Sequence, residues 1–308
     1  MSPEQMRNNS RRPWKMLLPL FGVLALAAAW SAYWFIAIGI AEAAVASERR
    51  KLTERGITLR CGRETWGGYP FRFEFHCASP VLTYKDRLAA SSGNLLAVAL
   101  AYNPWQVVAL IDGPTTATGW GLLPTRASHR RIIASVTFGQ DKQPRVSADI
   151  PQLAIAGLLT ADRIVLDTRP EANGATGVAS SFVKLNYRPG DRPQLVIGRG
   201  ELVGTITGAK FLHVEKIELS RGTVRYWGTG DVTIDAGNRL AGKLSTETND
   251  FDGLLAILEP HLDFPDEQKA GLRGVLGLIG NEAKADIIAS DGQLFIGPFK
   301  IADLMPLY

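Results

Sequence analysis

Residues 61–77 read Cys-Gly-Arg-Glu-Thr-Trp-Gly-Gly-Tyr-Pro-Phe-Arg-Phe-Glu-Phe-His-Cys. The second half decides the fold class. Phe71, Phe73, Phe75 and Cys77 alternate with Arg72, Glu74 and His76, a period of two that only a β-strand turns into one aromatic and one charged face. Cys77 shares the aromatic face and so points inward. Gly67-Gly68-Tyr69-Pro70 ahead of it is a turn signal. Cys61 and Cys77 are the only cysteines. In an oxidising compartment two thiols this close are expected to pair, and closing the loop stabilises the fold by about 3 kcal/mol in the chain-entropy model. His76 stands on the charged face with no nucleophile beside it and reads as a surface histidine.

Upstream, Met16 to Ala41 carries no formal charge and is rich in Leu, Ala, Ile, Phe and Trp. As a helix these residues reach about 39 Å, enough for a hydrocarbon core of about 30 Å with some tilt. Trp14 lies at one end and Trp30, Tyr33 and Trp34 toward the other, where amphipathic rings favour the membrane interface. Pro19 falls in the first turns, where its missing N–H costs little. Arg7, Arg11, Arg12 and Lys15 precede the span. The positive-inside tendency therefore leaves residues 1–15 as a cytoplasmic tail and exports the chain beyond the span. The alternative is a cleaved signal at Ala41-Glu42-Ala43, but the apolar stretch is longer than a signal core needs.

Residues 42–56 continue with helix formers up to Gly56, giving a juxtamembrane helix. Its Arg49, Arg50 and Lys51 are candidates for contact with anionic lipid headgroups or for a plain solvated face. The net charge of +4 divides into +3 before the span, +2 over 42–60 and −1 over 61–308. A nucleic-acid reading of the basic total is therefore excluded, since the bulk of the chain is near neutral.

Downstream, residues 57–308 read as a β-rich domain. Strands are expected at Pro80–Tyr84, Leu95–Tyr102, Val107–Ile111, Arg131–Phe138, Val146–Ile150, Arg163–Thr168, Val178–Tyr187, Leu195–Ile197 and Phe211–Leu219. Ser92-Gly93, Asn103-Pro104, Asp112-Gly113-Pro114, Asn173-Gly174 and Pro189-Gly190 punctuate them as turns. Leu95–Tyr102 and Val107–Ile111 are apolar on both faces, so they fill a core or line a groove. Leu96, Val98, Leu100, Val108 and Leu110 are the groove candidates. Further on, a hairpin turns at Gly237-Asn238. Asn249 or Asp250 caps a helix with Phe251, Leu254, Leu255 and Leu258 on one stripe, and Pro265 opens a second with Leu272, Val275, Leu276 and Ile279. Two strands joined by Asp291-Gly292 come last. The expected architecture is α+β: a transmembrane helix, then a long antiparallel, curved β-sheet with a C-terminal helix pair packed on it.

Catalytic spacings are lacking. Gly237, Gly242 and Lys243 mimic a phosphate loop, but Leu244 replaces its Ser or Thr and a strand comes next. Gly198, Gly200 and Gly204 read as turn glycines. His129, His213 and His261 have no ligand partners nearby in sequence. No metal, cofactor or nucleic-acid partner is expected, and an enzyme is the least favoured reading.

Together, the single span, the C-x15-C loop with Gly68-Tyr69-Pro70-Phe71-Arg72, the Tyr102-Asn103-Pro104-Trp105 turn and the ending Asp291-Gly292-Gln293-Leu294-Phe295-Ile296-Gly297-Pro298 resemble the bacterial domain-of-unknown-function family 2125. That family is distantly similar to the AsmA-like envelope proteins. The resemblance implies an inner-membrane anchor, a periplasmic β-sheet groove and association with a phospholipid or other envelope lipid. An adaptor that binds another envelope protein is the alternative.

Overall fold

The computed structural model describes residues 14–85, 87–119, 122–139, 143–171, 174–188, 190, 193–208, 210–261, 274, 283–297 and 299–306. The second expected C-terminal helix, over Pro265–Ile279, lies outside the described residues apart from Gly274, which is helical. A single helix α1 (Trp14–Glu54) opens the chain. No proline occurs between Pro19 and Gly56, so the span and the juxtamembrane segment are continuous, about 60 Å end to end. Gly56 comes next at φ +80°, and the chain turns into strand. One stretch of α1 is long and apolar enough to cross a membrane.

Most of the other described residues belong to a 20-stranded antiparallel sheet. Its first strands are β1 (Ile57–Arg60), β2 (Arg63–Gly67), β3 (Arg72–Ala78), β4 (Val81–Tyr84), β5 (Leu88–Ser91) and β6 (Asn94–Leu100). Then come β7 (Asn103–Ile111), β8 (Thr115–Gly119), β9 (Leu122–Ser128), β10 (Ile132–Thr137) and β11 (Arg145–Ile155). Longer strands succeed them: β12 (Leu159–Pro170), β13 (Thr176–Tyr187), β14 (Leu195–Thr207), β15 (Phe211–Arg221), β16 (Val224–Ile234) and β17 (Leu240–Thr248). Helix α2 (Phe251–Leu258) precedes β18 (Ala283–Ser290), β19 (Gln293–Ile296) and β20 (Phe299–Asp303).

Two sequence expectations change here. Ser92-Gly93 and Asp112-Gly113-Pro114 do not reverse the chain. They are bends within through-going strands, because β3/β4, β5/β6 and β7/β8 each continue in one direction across them. The bends lie side by side: Ser79 N–H donates to Gly93 O at 2.9 Å, and Gly93 N–H to Asp112 O at 3.0 Å. This crease divides the early sheet into a limb β2–β3–β6–β7–β10 and a limb β1–β4–β5–β8–β9, and both meet β11. The second correction concerns Gly200. It is not a turn residue but sits inside β14, opposite Phe182. A Cβ there would collide with the Phe182 ring, so glycine admits the aromatic to the sheet surface.

The turns are chemically plain. Asp291 and Gly292 both have positive φ, as a tight two-residue hairpin between β18 and β19 requires. Helix α2 is capped by Asp250, whose carboxylate accepts from Gly253 N–H at 2.9 Å.

Candidate functional site

The residues that sequence spacing singles out fall into three places. Cys61 and Cys77 form a disulfide with their Cα atoms 5.3 Å apart. Cys77 is 1% exposed, among the most buried residues described. Arg49 turns onto this loop. It pairs with Glu64 at 2.7 Å and its guanidinium lies 5.3 Å over the Phe75 ring. Lys51 pairs with Glu48 at 2.6 Å, and Arg50 is exposed. A straight helix lifts these three residues about 13 Å beyond Ala41, so headgroup contact at that point requires the helix to tilt.

Leu96, Val98, Leu100, Val108 and Leu110 come together through direct pairs, Leu96 with Leu110 and Val98 with Val108. They lie on the face that carries Arg72, Glu74 and His76, because His76 pairs with Leu96, Glu74 with Val98 and Arg72 with Leu100. The aromatic face is the opposite one. There Phe73, Phe75 and Cys77 pair with Ala99, Ala97 and Leu95.

Followed across the sheet, the aromatic face carries a row that pattern reading along single strands missed. Phe75 pairs with Ala97, Ala97 with Ala109, Ala109 with Ala134 and Ala134 with Ala148. The row goes on through Leu166, Ser180, Leu202 and Ile217. It ends on Gly228, Thr246 and Ala285. At about 4.8 Å per strand these eleven steps extend roughly 50 Å along the sheet without one charge. The rows beside it are also uncharged: Val146, Thr168, Val178 and Gly204 on one side, Ile150, Ile164, Phe182 and Gly200 on the other. Much of the face is uncovered among the described residues, with Val146 37% and Leu166 43% exposed.

Both ends of this face are closed by helix. At β3, Trp34 stacks on Phe73 with ring centroids 5.8 Å apart, and Ala101 completes the buried cluster. Three ring donors of α1 fasten the contact: Trp30 Nε1 to Pro70 O at 2.9 Å, Tyr33 OH to Ala101 O at 2.7 Å and Trp34 Nε1 to Arg72 O at 3.0 Å. At the far end α2 covers a cavity of about 370 Å³ lined by Leu219, Tyr226, Thr246, Leu254, Leu255, Leu258, Ile287 and Ile296, among others. Burial pushes the Tyr226 phenol above its usual range, and its hydrogen bond with Thr246 offsets part of this.

The opposite face is ionic. Arg163 pairs with Asp149 at 2.7 Å, Lys216 with Glu201 at 2.7 Å and with Glu218 at 3.0 Å, Lys243 with Asp286 at 2.8 Å, and Lys284 with Glu247 at 2.6 Å. The hydrogen bond from Arg163 holds the Asp149 carboxyl below its ordinary range, and Lys243 does the same for Asp286. Lys243, the residue of the phosphate-loop mimic, thus belongs to this ladder. His76 meets Glu74, His129 meets Thr115 and His213 meets Asp231, each on a separate part of the sheet. No group of three or more side chains able to hold a metal occurs among the described residues.

A family model described as "Uncharacterized protein conserved in bacteria (DUF2125)" matches residues 34–305. Comparison with curated proteins and with solved structures returned no match.

Proposed function

The chain belongs to the uncharacterised bacterial family DUF2125, and from that premise we propose that it is a single-span envelope protein that binds, and helps transfer, lipid acyl chains on the apolar face of its sheet. In this reading residues 1–15 are cytoplasmic, α1 crosses the inner membrane, and the sheet and its disulfide stand in the oxidising periplasm. The observation that carries it is the uncharged row from Phe75 to Ala285, which starts beneath Arg49 of α1 and ends at the cavity under α2. The same likeness to AsmA-like grooves that the sequence suggests points this way.

The physics is that of apolar burial. An open β-face of Ala, Val, Leu and Ile costs free energy in water roughly in proportion to its area, and an acyl chain laid along it removes both apolar surfaces from water. Small residues in the central row (Ala97, Ala109, Ala134, Ala148) leave a shallow channel between bulkier flanks such as Val107 and Ile111. The terminal cavity lies within the size range of ligand sites, about 300–1,000 Å³. The ionic face would keep the sheet's other side in water. This is a binding role rather than catalysis.

The test places a photo-crosslinking residue in the full chain at Leu166 or Leu202 on the apolar face, and at Val165 or Val203 on the opposite face. Lipid adducts at 166 and 202, absent at 165 and 203, are expected. Failure of 166 and 202 to give adducts in cells where a probe at Phe35 of α1 does so sinks the proposal. Protein adducts alone at 166 and 202 would favour the adaptor instead.

A further inference from the structure

Two hairpin ends next to α1 break the usual rule that turns expose polar residues. The β2–β3 turn exposes Tyr69 and Phe71, and the β6–β7 turn exposes Tyr102, with Trp105 just inside β7. Phe71 is 65%, Tyr102 71% and Trp105 66% exposed, values that cost free energy for such rings in water. Phe138 joins them from the end of β10, its N–H donating to Trp105 O at 2.9 Å. The surrounding chain is equally unsuited to water. No charged residue occurs from Asn94 to Ile111 or from Ile132 to Phe138.

The height of these ends is set by α1. Trp30, Tyr33 and Trp34 donate to Pro70, Ala101 and Arg72 carbonyls, and Ser31 Oγ meets Tyr69 OH at 2.7 Å. Trp34 lies about 26 Å along the helix from Leu17, within a hydrocarbon core of about 30 Å that begins near that residue. Beyond it Phe35, Ile36 and Ile40 remain exposed on the helix, 64–65% each. The hairpin ends are therefore tied to a level of α1 that its own apolar surface assigns to the outer boundary of a bilayer.

We propose that the β2–β3 and β6–β7 hairpin ends, with Phe71, Tyr102 and Trp105 at their tips, insert into the outer membrane–water interface as a second membrane contact beside α1. Tyr and Trp rings suit this zone because their bodies are apolar and their N–H or O–H ends stay wet. Exposed Arg72 stands next in sequence to the Phe71 tip. Two contacts fix the rotation of the sheet about the anchor, with Phe73, the aromatic-face residue stacked on Trp34, nearest the bilayer. The same insertion explains why β6 and β7 are apolar on both faces. Leu100, 39% exposed on the ionic side, lies at the tip opposite Arg72.

This proposal rests on α1 spanning a bilayer, and the experiment separates the two. The full chain is placed in nanodiscs of phosphatidylethanolamine and phosphatidylglycerol, with an environment-sensitive fluorescent residue at 71, 105, 35 or 223. Position 223 lies in the β15–β16 turn, at the opposite end of the strands from the β6–β7 turn. Lipids carrying a quencher near the headgroup or deep in the chain are compared. We expect quenching at 71 and 105 at least threefold stronger than at 223, and strongest with the shallow quencher. Quenching at 71 and 105 no greater than at 223, with 35 strongly quenched, overturns the insertion and leaves the anchor standing. An unquenched 35 removes the anchor, and the insertion with it.

Discussion

The two faces of one sheet are built to opposite rules. On the ionic face, charges pair across strands, directly as Lys284 with Glu247 or diagonally as Arg163 with Asp149. On the apolar face a row of twelve paired residues from Phe75 to Ala285 has none. Yet the apolar face is not a conventional core. Among the described residues the buried aromatic rings and Cys77 lie at one end, where α1 and the disulfide cover the sheet, and Leu255 lies at the other, while Val214 and Ala161 are buried within the strands between those ends. Between them the face is half-open. The difference teaches that the best-covered parts of this face are its ends, which hold the fold. The half-open middle is the stretch to which the proposed binding role is assigned.

The sharpest way to break this comparison is to remove the covered end at β3. Cys77→Ser in the full chain is expected to cost about 3 kcal/mol in chemical denaturation, from loop-closure entropy alone. Reduction of the wild-type protein should give a similar loss, since it removes the same crosslink. A loss below about 1 kcal/mol in both experiments, well under the usual range for a native disulfide, would mean that this end does not hold the fold.

Much of this was legible in the sequence, and the failures have physical causes. The alternation in Phe71–Cys77 located β3 and its inward face because aromatic and charged residues cannot exchange faces without loss. Leu95–Tyr102 offered no such phase. Leu and Ala or Val occupy both parities, so Leu96 and Val98 looked as eligible for the groove as Leu95 and Ala97. Only the register, in which Cys77 pairs with Leu95, puts Leu96 on the ionic side. The glycines of β14 were misread because glycine usually ends a strand, whereas here Gly200 makes room for Phe182. The short strands of the second limb, such as Leu88–Ser91 and Thr115–Gly119, were missed. Their Ala, Ser and Thr carry little hydrophobic contrast, and the crease residues beside them look like turns. The site itself was the least legible part. A row across twelve strands is a property of pairing, and no window of sequence contains it.

The far end sharpens the comparison at a smaller scale. Leu255 is the buried residue of α2 and faces the cavity over Thr246 and Ile287. Leu255→Ala is expected to cost about 2 kcal/mol, the low end for a buried leucine because the site adjoins existing space. Hydrogen exchange should show the loss first in α2 and β17. Equal loosening of β3 and β6 would mean that the two ends are one cooperative unit.

The smallest effect is expected on the ionic face, from Asp286→Asn. The Lys243 ammonium, and after it the Ser245 hydroxyl, hold the Asp286 carboxyl below its ordinary range in the folded state. A depressed folded-state pKa contributes stability above the unfolded-state value of about 3.9, and the contribution disappears as pH falls through the folded value. The variant should therefore match the wild type in denaturation midpoint at about pH 2 and fall slightly below it at about pH 7. Because both side chains of this ion pair reach solvent, the gap at neutral pH should shrink as salt is raised toward about 1 M. A gap as large as that of Leu255→Ala, insensitive to salt, would show that the ionic face is structural rather than a solvated surface, and the division between the two faces would not hold.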